Sequence, residues 1–387
     1  MGGSPGRASQ HGVRELCEGG FYLKLQNVVT RWFEHDGPPK GGHHVAADIT
    51  RDTVAGLFTV ELATLPVSAS SGGFVYRLNR DLGLIERASD GFGPFFTERV
   101  LRNSRGQLSV GMSYQFARFS SLQGADLRSG TFPTNAARVT GASQPFSVDR
   151  LELELDSRTT TPFASYGVTD RFAVGLSVPI STVRFSGRRM RTVNAASALQ
   201  SSQSGSATGL GDVTVNARYM LAGTGLRGVS VGGDVRFPTG SQQDLLGAGD
   251  MAGRVIGIGT WEEGHLGVHL NGGAGVGGIS RELFWGAATT VAPTPRVTIV
   301  GEVTGRWLAE LSHVSDVYQA HATQPGVETM RWLPADPGIH TIFLVAGAKW
   351  NLATSWLLNT NLLIRATDAG LRARVTPAIS LDYAFER

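Results

Sequence analysis

The chain is short of several things, and each shortage closes a door. One cysteine, Cys17, stands in 387 residues. It excludes an internal disulfide and a thiolate metal cluster. The residues before it, Arg14-Glu15-Leu16, lack the small residue of a lipoprotein cleavage box. Charged residues are 17% and the net charge is +3, with bases and acids interleaved, which argues against a nucleic-acid surface. The cluster Arg184, Arg188, Arg189, Arg191 is a local exception. It reads either as a solvated loop or as an anion or lipopolysaccharide contact. No window holds ~18 consecutive apolar residues, which excludes a transmembrane helix. The first residues, MGGSPGRASQHGVRELCEGG, contain no apolar core of a secretory signal. For an exported protein the expectation is therefore a mature or truncated chain, or a start assigned too late.

What is present is alternation. In Gln107–Phe119, Leu108, Val110, Met112, Tyr114 and Phe116 alternate with Ser109, Gly111, Ser113 and Gln115. A period of two with one oily and one polar face is a strand between unlike solvents. Its length suits the roughly 9–11 tilted residues that cross a bilayer as β-structure. The unit recurs at Ser147–Thr161, Arg171–Arg184, Leu210–Leu221, Leu226–Phe237, Met251–Thr260, His265–Val276, Leu283–Ala292, Arg296–Leu308, His340–Trp350, Ser355–Ala366 and Leu371–Phe385. Glycine and alanine dilute Met251–Thr260 and Leu283–Ala292, so the facing of those two is open.

The connections between these segments alternate long and short; the long ones lie near Ser120–Phe146, Phe185–Gly209, Pro238–Asp250, Gly277–Glu282 and Ala309–Gly338, and only Thr367–Gly370 breaks the rule. Short periplasmic turns and long outer loops belong to one architecture. The expected fold is all-β: a transmembrane antiparallel up-and-down β-barrel of about twelve strands over residues 101–387, preceded by a non-barrel region over residues 1–100. That first region carries a helical pattern at Asp48–Leu65 and a hairpin at Gly72–Arg87. It would sit in the periplasm or fold into the lumen as a plug.

An unpaired backbone group in hydrocarbon costs several kcal/mol, so the sheet must close. Aromatic residues near strand ends, Trp307, Trp350, Trp356, Tyr219 and Phe385, suit interfacial girdles. The inner face then carries the charge. By facing, the expected luminal set is Arg150, Glu152, Glu154, Asp156, Arg158, Asp212, Arg218, Asp234, Arg236, Glu302, Arg306, Lys349, Arg365, Arg372, Arg374 and Asp382. Both signs occur in similar number, which favours an ion-pair lattice over a selectivity ring of one sign.

Four strings carry a resemblance: Gly209-Leu210-Gly211-Asp212-Val213 followed by Arg218-Tyr219, Phe237-Pro238-Thr239-Gly240, Tyr166–Phe172, and Gly93–Arg99. Together they resemble the outer-membrane phenol-degradation MetA-pathway transporter-like family, itself similar to hydrophobic-compound channels of the fatty-acid-transporter type. The match runs from about Gly93 to the C-terminus. It implies an outer-membrane channel for small solutes, aromatic or apolar ones among them, without catalytic residues or cofactor. Implied partners are the lipid bilayer, lipopolysaccharide, the barrel assembly machinery and the solute. Such barrels usually end on an aromatic residue used in assembly, whereas here Glu386-Arg387 follows Phe385.

Catalytic and metal readings are weaker. His43-His44 with Asp48 lie in a glycine-rich stretch that reads as solvent-exposed. His265 and His269 share a strand face but stand ~13 Å apart, too far for one ion. Glu152 and Glu154 lie ~6.5–7 Å apart, a spacing glycosidase carboxylates use, yet the neighbouring Arg150 and Arg158 favour ion pairing. Gly272–Gly278 has no helix after it, so it is no nucleotide loop. A membrane-embedded hydrolase would need a serine motif that the chain does not show. The alternative to a channel is a structural or binding barrel with a sealed lumen.

Overall fold

The computed structural model describes residues 57–62, 76–79, 84–87, 89, 91–100, 103–224, 226–321, 324–353 and 355–385. Cys17, the His43-His44 pair and Asp48 lie outside them. Of the expected helix at Asp48–Leu65, residues 57–62 form a helical turn. The expected hairpin is β1 (Tyr76–Asn79) paired antiparallel with β2 (Leu84–Arg87).

The remaining strands form one antiparallel sheet. They are β3 (Leu108–Leu122), β4 (Ala125–Asp126), β5 (Phe132–Val139), β6 (Ser147–Gly167), β7 (Phe172–Ser177), β8 (Ile180–Val193), β9 (Ala196–Leu210), β10 (Val213–Gly223), β11 (Arg227–Phe237), β12 (Ala252–Glu263), β13 (Leu266–Gly277), β14 (Glu282–Thr294), β15 (Val297–Ala320), β16 (Val327–Ala353), β17 (Trp356–Arg365), β18 (Leu371–Ala373) and β19 (Val375–Phe385). Three pairs are single staves with a break: β7 with β8, β9 with β10, and β18 with β19. With β4 and β5 set aside as part of the connection between β3 and β6, that leaves twelve staves, each antiparallel to its neighbours in chain order. The last meets the first where Ser380 pairs with Ser113. At the level of the belt the ring is closed, as a sheet in hydrocarbon requires, while above it β9 pairs, among the described residues, only with β8.

Around the barrel's waist the outward residues are apolar. Met112, Tyr114, Leu176, Val215, Tyr219, Val231, Leu270, Trp285, Ile299, Leu344, Leu362 and Ile379 are all exposed. Their strand neighbours Ser113, Gln115, Ser177, Arg218, Ser230, His269, Asn361 and Ser380 are buried inside. Aromatic residues gather at the short-turn end. Trp356 stacks on Tyr383 at 4.8 Å, and Tyr383 meets Phe385 edge-on at 4.7 Å. Such girdles mark a membrane interface.

The wall is uneven in height. β12 and β13 have 12 residues each, whereas β15 has 24, β16 has 27 and β6 has 21. The stretches expected as long loops at Phe185–Gly209 and Ala309–Gly338 are largely strand, continuing the wall upward. Part of the expected loop Ser120–Phe146 is β5, which bridges β6 and β16: Ala137 pairs with Ser147 and with Thr329.

This tall half corrects one expectation. Arg150, Glu152, Glu154, Asp156 and Arg158 face outward, and Leu151, Leu153 and Leu155 face inward at 0–1% exposure. The register along β6 does not slip. Even-numbered residues point out throughout, as exposed Tyr166 does lower down. What changes is the surroundings. Near the short turn the outside is lipid, so Pro162, Ala164 and Tyr166 face it. Farther up the outside is water, so charge turns out and leucine turns in. There Glu152 pairs with Arg188 at 2.8 Å and Asp156 with Arg118 at 3.0 Å. The inward leucines join Val183, Phe185, Phe132, Trp332, and Leu57 and Phe58 of the helical turn, in one core.

This facing has a measurable consequence. Leu153→Ala is expected to destabilise the barrel by ~2–5 kcal/mol through the cavity it leaves. Glu152→Ala, which removes a half-exposed ion pair, is expected to change stability by less than about 1 kcal/mol. Heat-induced loss of the compact form in detergent compares them, and the reverse ranking would refute the assigned facing.

Candidate functional site

Nine of the sixteen expected luminal residues do line the interior: Asp212, Arg218, Asp234, Arg236, Glu302, Arg306, Lys349, Arg365 and Asp382. Five face outward on β6, as described above. Arg372 lies beside inward Leu371 and Ala373 and pairs outside with Asp368. Arg374 is exposed at the break between β18 and β19.

The inner charges are spoken for largely by the chain that precedes the barrel. Residues 91–100 run across the lumen and are fastened at each step. The Phe92 amide donates to Thr298 Oγ1 at 3.0 Å. Glu302 accepts from three successive amides, those of Phe95, Phe96 (3.0 Å) and Thr97 (2.9 Å). Lys349, fully buried, donates to the Pro94 carbonyl at 2.6 Å, and its ammonium lies 4.9 Å from the Phe95 ring centre. Arg99 pairs with Glu262 through both forks, Nε to Oε1 being 2.5 Å. The Val100 amide donates to Thr260 at 3.1 Å, and Ser230 donates back to the Val100 carbonyl at 2.8 Å. Asn103 then ties into Ser109 and Ser165, at the first stave of the barrel. Higher up, Glu61 of the helical turn accepts from Arg365 at 2.8 Å and lies 3.7 Å from Arg306.

The most connected group is Arg218. It forks onto Glu98 and reaches Asp234 at 2.7 Å, while Asp234 also takes Arg254 at 2.9 Å. Two glycines make this possible. A Cβ on Gly232 would come 2.3 Å from Arg218 Cδ, so the guanidinium stem lies flat across that position. On Gly275 it would stand 2.9 Å from Arg254 Cγ and 3.0 Å from Glu282 Cγ, two side chains that approach across β13 to 3.8 Å. Strand glycines mark close approach.

Glu61, Glu98, Arg99, Arg254, Glu262 and Glu282 were not among the residues expected from facing. The first three precede the barrel and have no strand period to read. Arg254 sits on a glycine- and alanine-diluted strand of open facing, Glu282 reads as the end of a connection, and Glu262 reads as part of a turn. The available signal was the Gly93–Arg99 string itself and the glycines opposite the arginines.

Above this lattice the long connection after β11 folds inward. Asp212 draws it in, accepting from the Gly240 amide at 3.0 Å and the Ala248 amide at 2.8 Å. A short 3₁₀ turn, Gln242–Asp244, ends on Leu245 at φ 58°, and Leu245 and Leu246 enter the core beside Leu57 and Phe58. At the low rim, outside the apolar belt, Glu310 accepts from Ser280 and Arg281. These hydrogen bonds hold its carboxyl down to about 2.

Between the lattice, the inward loop and the low wall lies a cavity of about 280 Å³. Its lining mixes apolar side chains, Val60, Phe95, Phe96, Ile256, Phe284 and Phe343, with polar ones, Thr214, Asn216, Arg218, Asp234, Arg236, Arg254, Glu282 and Arg306.

A closed antiparallel sheet with an oily waist and a wet lumen is the fold by which strands span an outer membrane, and this protein is an outer-membrane-type β-barrel. No family model matches the chain, and no curated protein matches it in sequence. Similar solved structures include an outer membrane channel from Pseudomonas putida F1, 16% identical over 73% of this chain and 97% of that one, with a TM-score of 0.44. The KdgM porin, solved with disordered oligogalacturonate, is 11% identical over 62% and 99%, at 0.35. The P. putida toluene transporter TodX is 8% identical over 74% and 91%, at 0.33. At these scores the likenesses bear no weight of their own, and the fold rests on the strand pairing above.

Proposed function

We propose that the protein is a passive outer-membrane channel for small solutes, hydrophobic or aromatic ones among them, with the region before the barrel as its plug. The observation that carries this reading is the way residues 91–100 lie across the lumen, polar-bonded to the wall, beside a half-aromatic cavity. Those polar fastenings can exchange for water, and Phe92, Phe95 and Val100 each sit in a small separate apolar cluster on the wall, not in the larger core of the outer half. The family resemblance in the sequence points to the same kind of cargo. The outward arginines of the tall half, Arg118, Arg150, Arg158, Arg184 and Arg188, lie just above the oily belt and fit lipopolysaccharide phosphates.

Purified full-length protein in planar bilayers is expected to give small, discrete current steps. Silence from protein that still migrates as a folded barrel, together with silence from the plug-releasing variant described in the Discussion, would refute the channel. It would favour a sealed structural or binding barrel instead. The specific observation behind that second reading is the apolar core of the outer half, where Leu151, Leu153, Leu155, Leu245 and Leu246 meet the helical turn.

A further inference from the structure

Of the four arginines described at the cavity, Arg218, Arg236, Arg254 and Arg306, one stands outside the lattice. Arg236 is the next inward residue above Asp234 on β11 and lines the cavity. Its cross-strand neighbours are Thr214 and Ala252, neither of which carries charge. The charged groups around it are Asp212, Glu282, Arg254 and Arg306. Asp212 is occupied by the amides of Gly240 and Ala248. Glu282 leans toward Arg254, and Asp234 is shared between Arg218 and Arg254. Arg236 itself makes no hydrogen bond or ion pair with any described residue.

A guanidinium offers five donors in a fixed fork and cannot shed its proton. Placed at a cavity wall beside two further arginines, it is completed by an anion from outside the chain. The surroundings narrow which anion. Asp212, Asp234 and Glu282 lie close by, so a second negative charge on the ligand would meet repulsion. The same cavity is also lined by Phe95, Phe96, Ile256, Phe284 and Phe343, so a bare ion would leave that apolar surface uncovered. At about 280 Å³ the space lies at the small end of ligand pockets.

We infer that Arg236 anchors an anion subsite, and that the cavity takes small monocarboxylates with an aromatic or apolar body. The carboxylate pairs with the guanidinium fork, and the body lies against the phenylalanines. The inference deepens the channel reading and rests on it for the ligand's route, while the binding chemistry is independent of it.

Titration calorimetry on the full-length protein in detergent, with micelle blanks, tests the subsite using three probes: benzoate, the neutral benzyl alcohol and the dianion phthalate. Benzoate is expected to bind at least about tenfold more tightly than benzyl alcohol, because a charge-assisted pair is lost in the alcohol. Phthalate is expected to bind more weakly than benzoate. Arg236→Gln is expected to bring benzoate down to the level of the alcohol while the protein keeps its folded migration.

Equal affinity of benzoate and benzyl alcohol for the unmodified protein would overturn the inference without any variant. So would absent benzoate binding, phthalate binding as tightly as benzoate, or a benzoate preference that survives in Arg236→Gln. Conductance separates this from the channel reading. Silent bilayers with an intact benzoate preference would sink the channel and leave the subsite. Current steps without that preference would do the opposite.

Discussion

Glu302→Ala is expected to raise the conductance of the barrel many-fold. Glu302 is one carboxylate holding three consecutive amides, those of Phe95, Phe96 and Thr97, and among the described residues no other side chain holds the Phe95 and Phe96 amides. Hydrogen bonds to a charged group contribute about 1.5–3 kcal/mol each, less than additively when they share one acceptor. The substitution also removes a negative charge near the buried Lys349. Losing one member of such a buried set costs ~3–5 kcal/mol. Residues 91–100 carry that penalty only while they stay seated, so the same energy favours their release. A bias of that size changes an equilibrium by roughly two to three orders of magnitude. Single-channel recording measures it as larger or longer openings. Glu302→Gln keeps an acceptor and is expected to fall between. If Glu302→Ala folds and conducts no more than the parent protein, residues 91–100 do not gate the lumen.

The second large effect is expected at Arg218. Its guanidinium neutralises Glu98 from the crossing segment and Asp234 from the wall, at 5% exposure. Arg218→Ala takes the guanidinium from both carboxylates and leaves Asp234 with Arg254. The expected loss is ~3–5 kcal/mol of barrel stability. The partner substitution separates charge from packing: adding Glu98→Gln to Arg218→Ala is expected to restore a large part of the loss. Gly232→Ala should act in the same direction more weakly, since a Cβ there stands 2.3 Å from Arg218 Cδ and displaces the stem. Thermal unfolding in detergent at one fixed scan rate compares these three variants with the parent protein and with Glu98→Gln alone. Additive losses in the double variant would mean that Glu98 and Arg218 are not coupled, and that the crossing segment is seated by something else.

The alternation in β3, β10, β17 and β19 was enough to place Met112, Val215, Leu362 and Ile379 outside and Gln115, Arg218, Asn361 and Asp382 inside. Closure, the number of staves and the shared alternation of short and long connections follow from the same pattern. A strand that separates two solvents writes both of them into its sequence, one on each face. β6 shows the limit of that code. Leu151, Leu153 and Leu155 opposite Glu152, Glu154 and Asp156 record that one face is dry and the other wet, and nothing more. Within the bilayer the dry side is outside. Beyond it, where β5, Trp332 and the helical turn supply a core, the dry side is inside. Only the height of each residue along the wall decides between them, and height is set by how twelve staves are staggered together.

The lumen was less legible for a related reason. Glu98 and Arg99 have no period, because a chain crossing a cavity repeats nothing, and the helical pattern around Glu61 does not tell which wall residue it meets. Arg254, Glu282 and Gly275 meet through pairing across three strands. By itself the sequence determined that this chain closes into an oily-waisted tube with charge within, since hydrocarbon leaves an alternating strand no other stable arrangement. The tertiary structure alone decided which carboxylate each arginine meets and which one, Arg236, is left for a ligand. Those partnerships depend on distances of a few ångströms between residues as far as 304 positions apart in the chain.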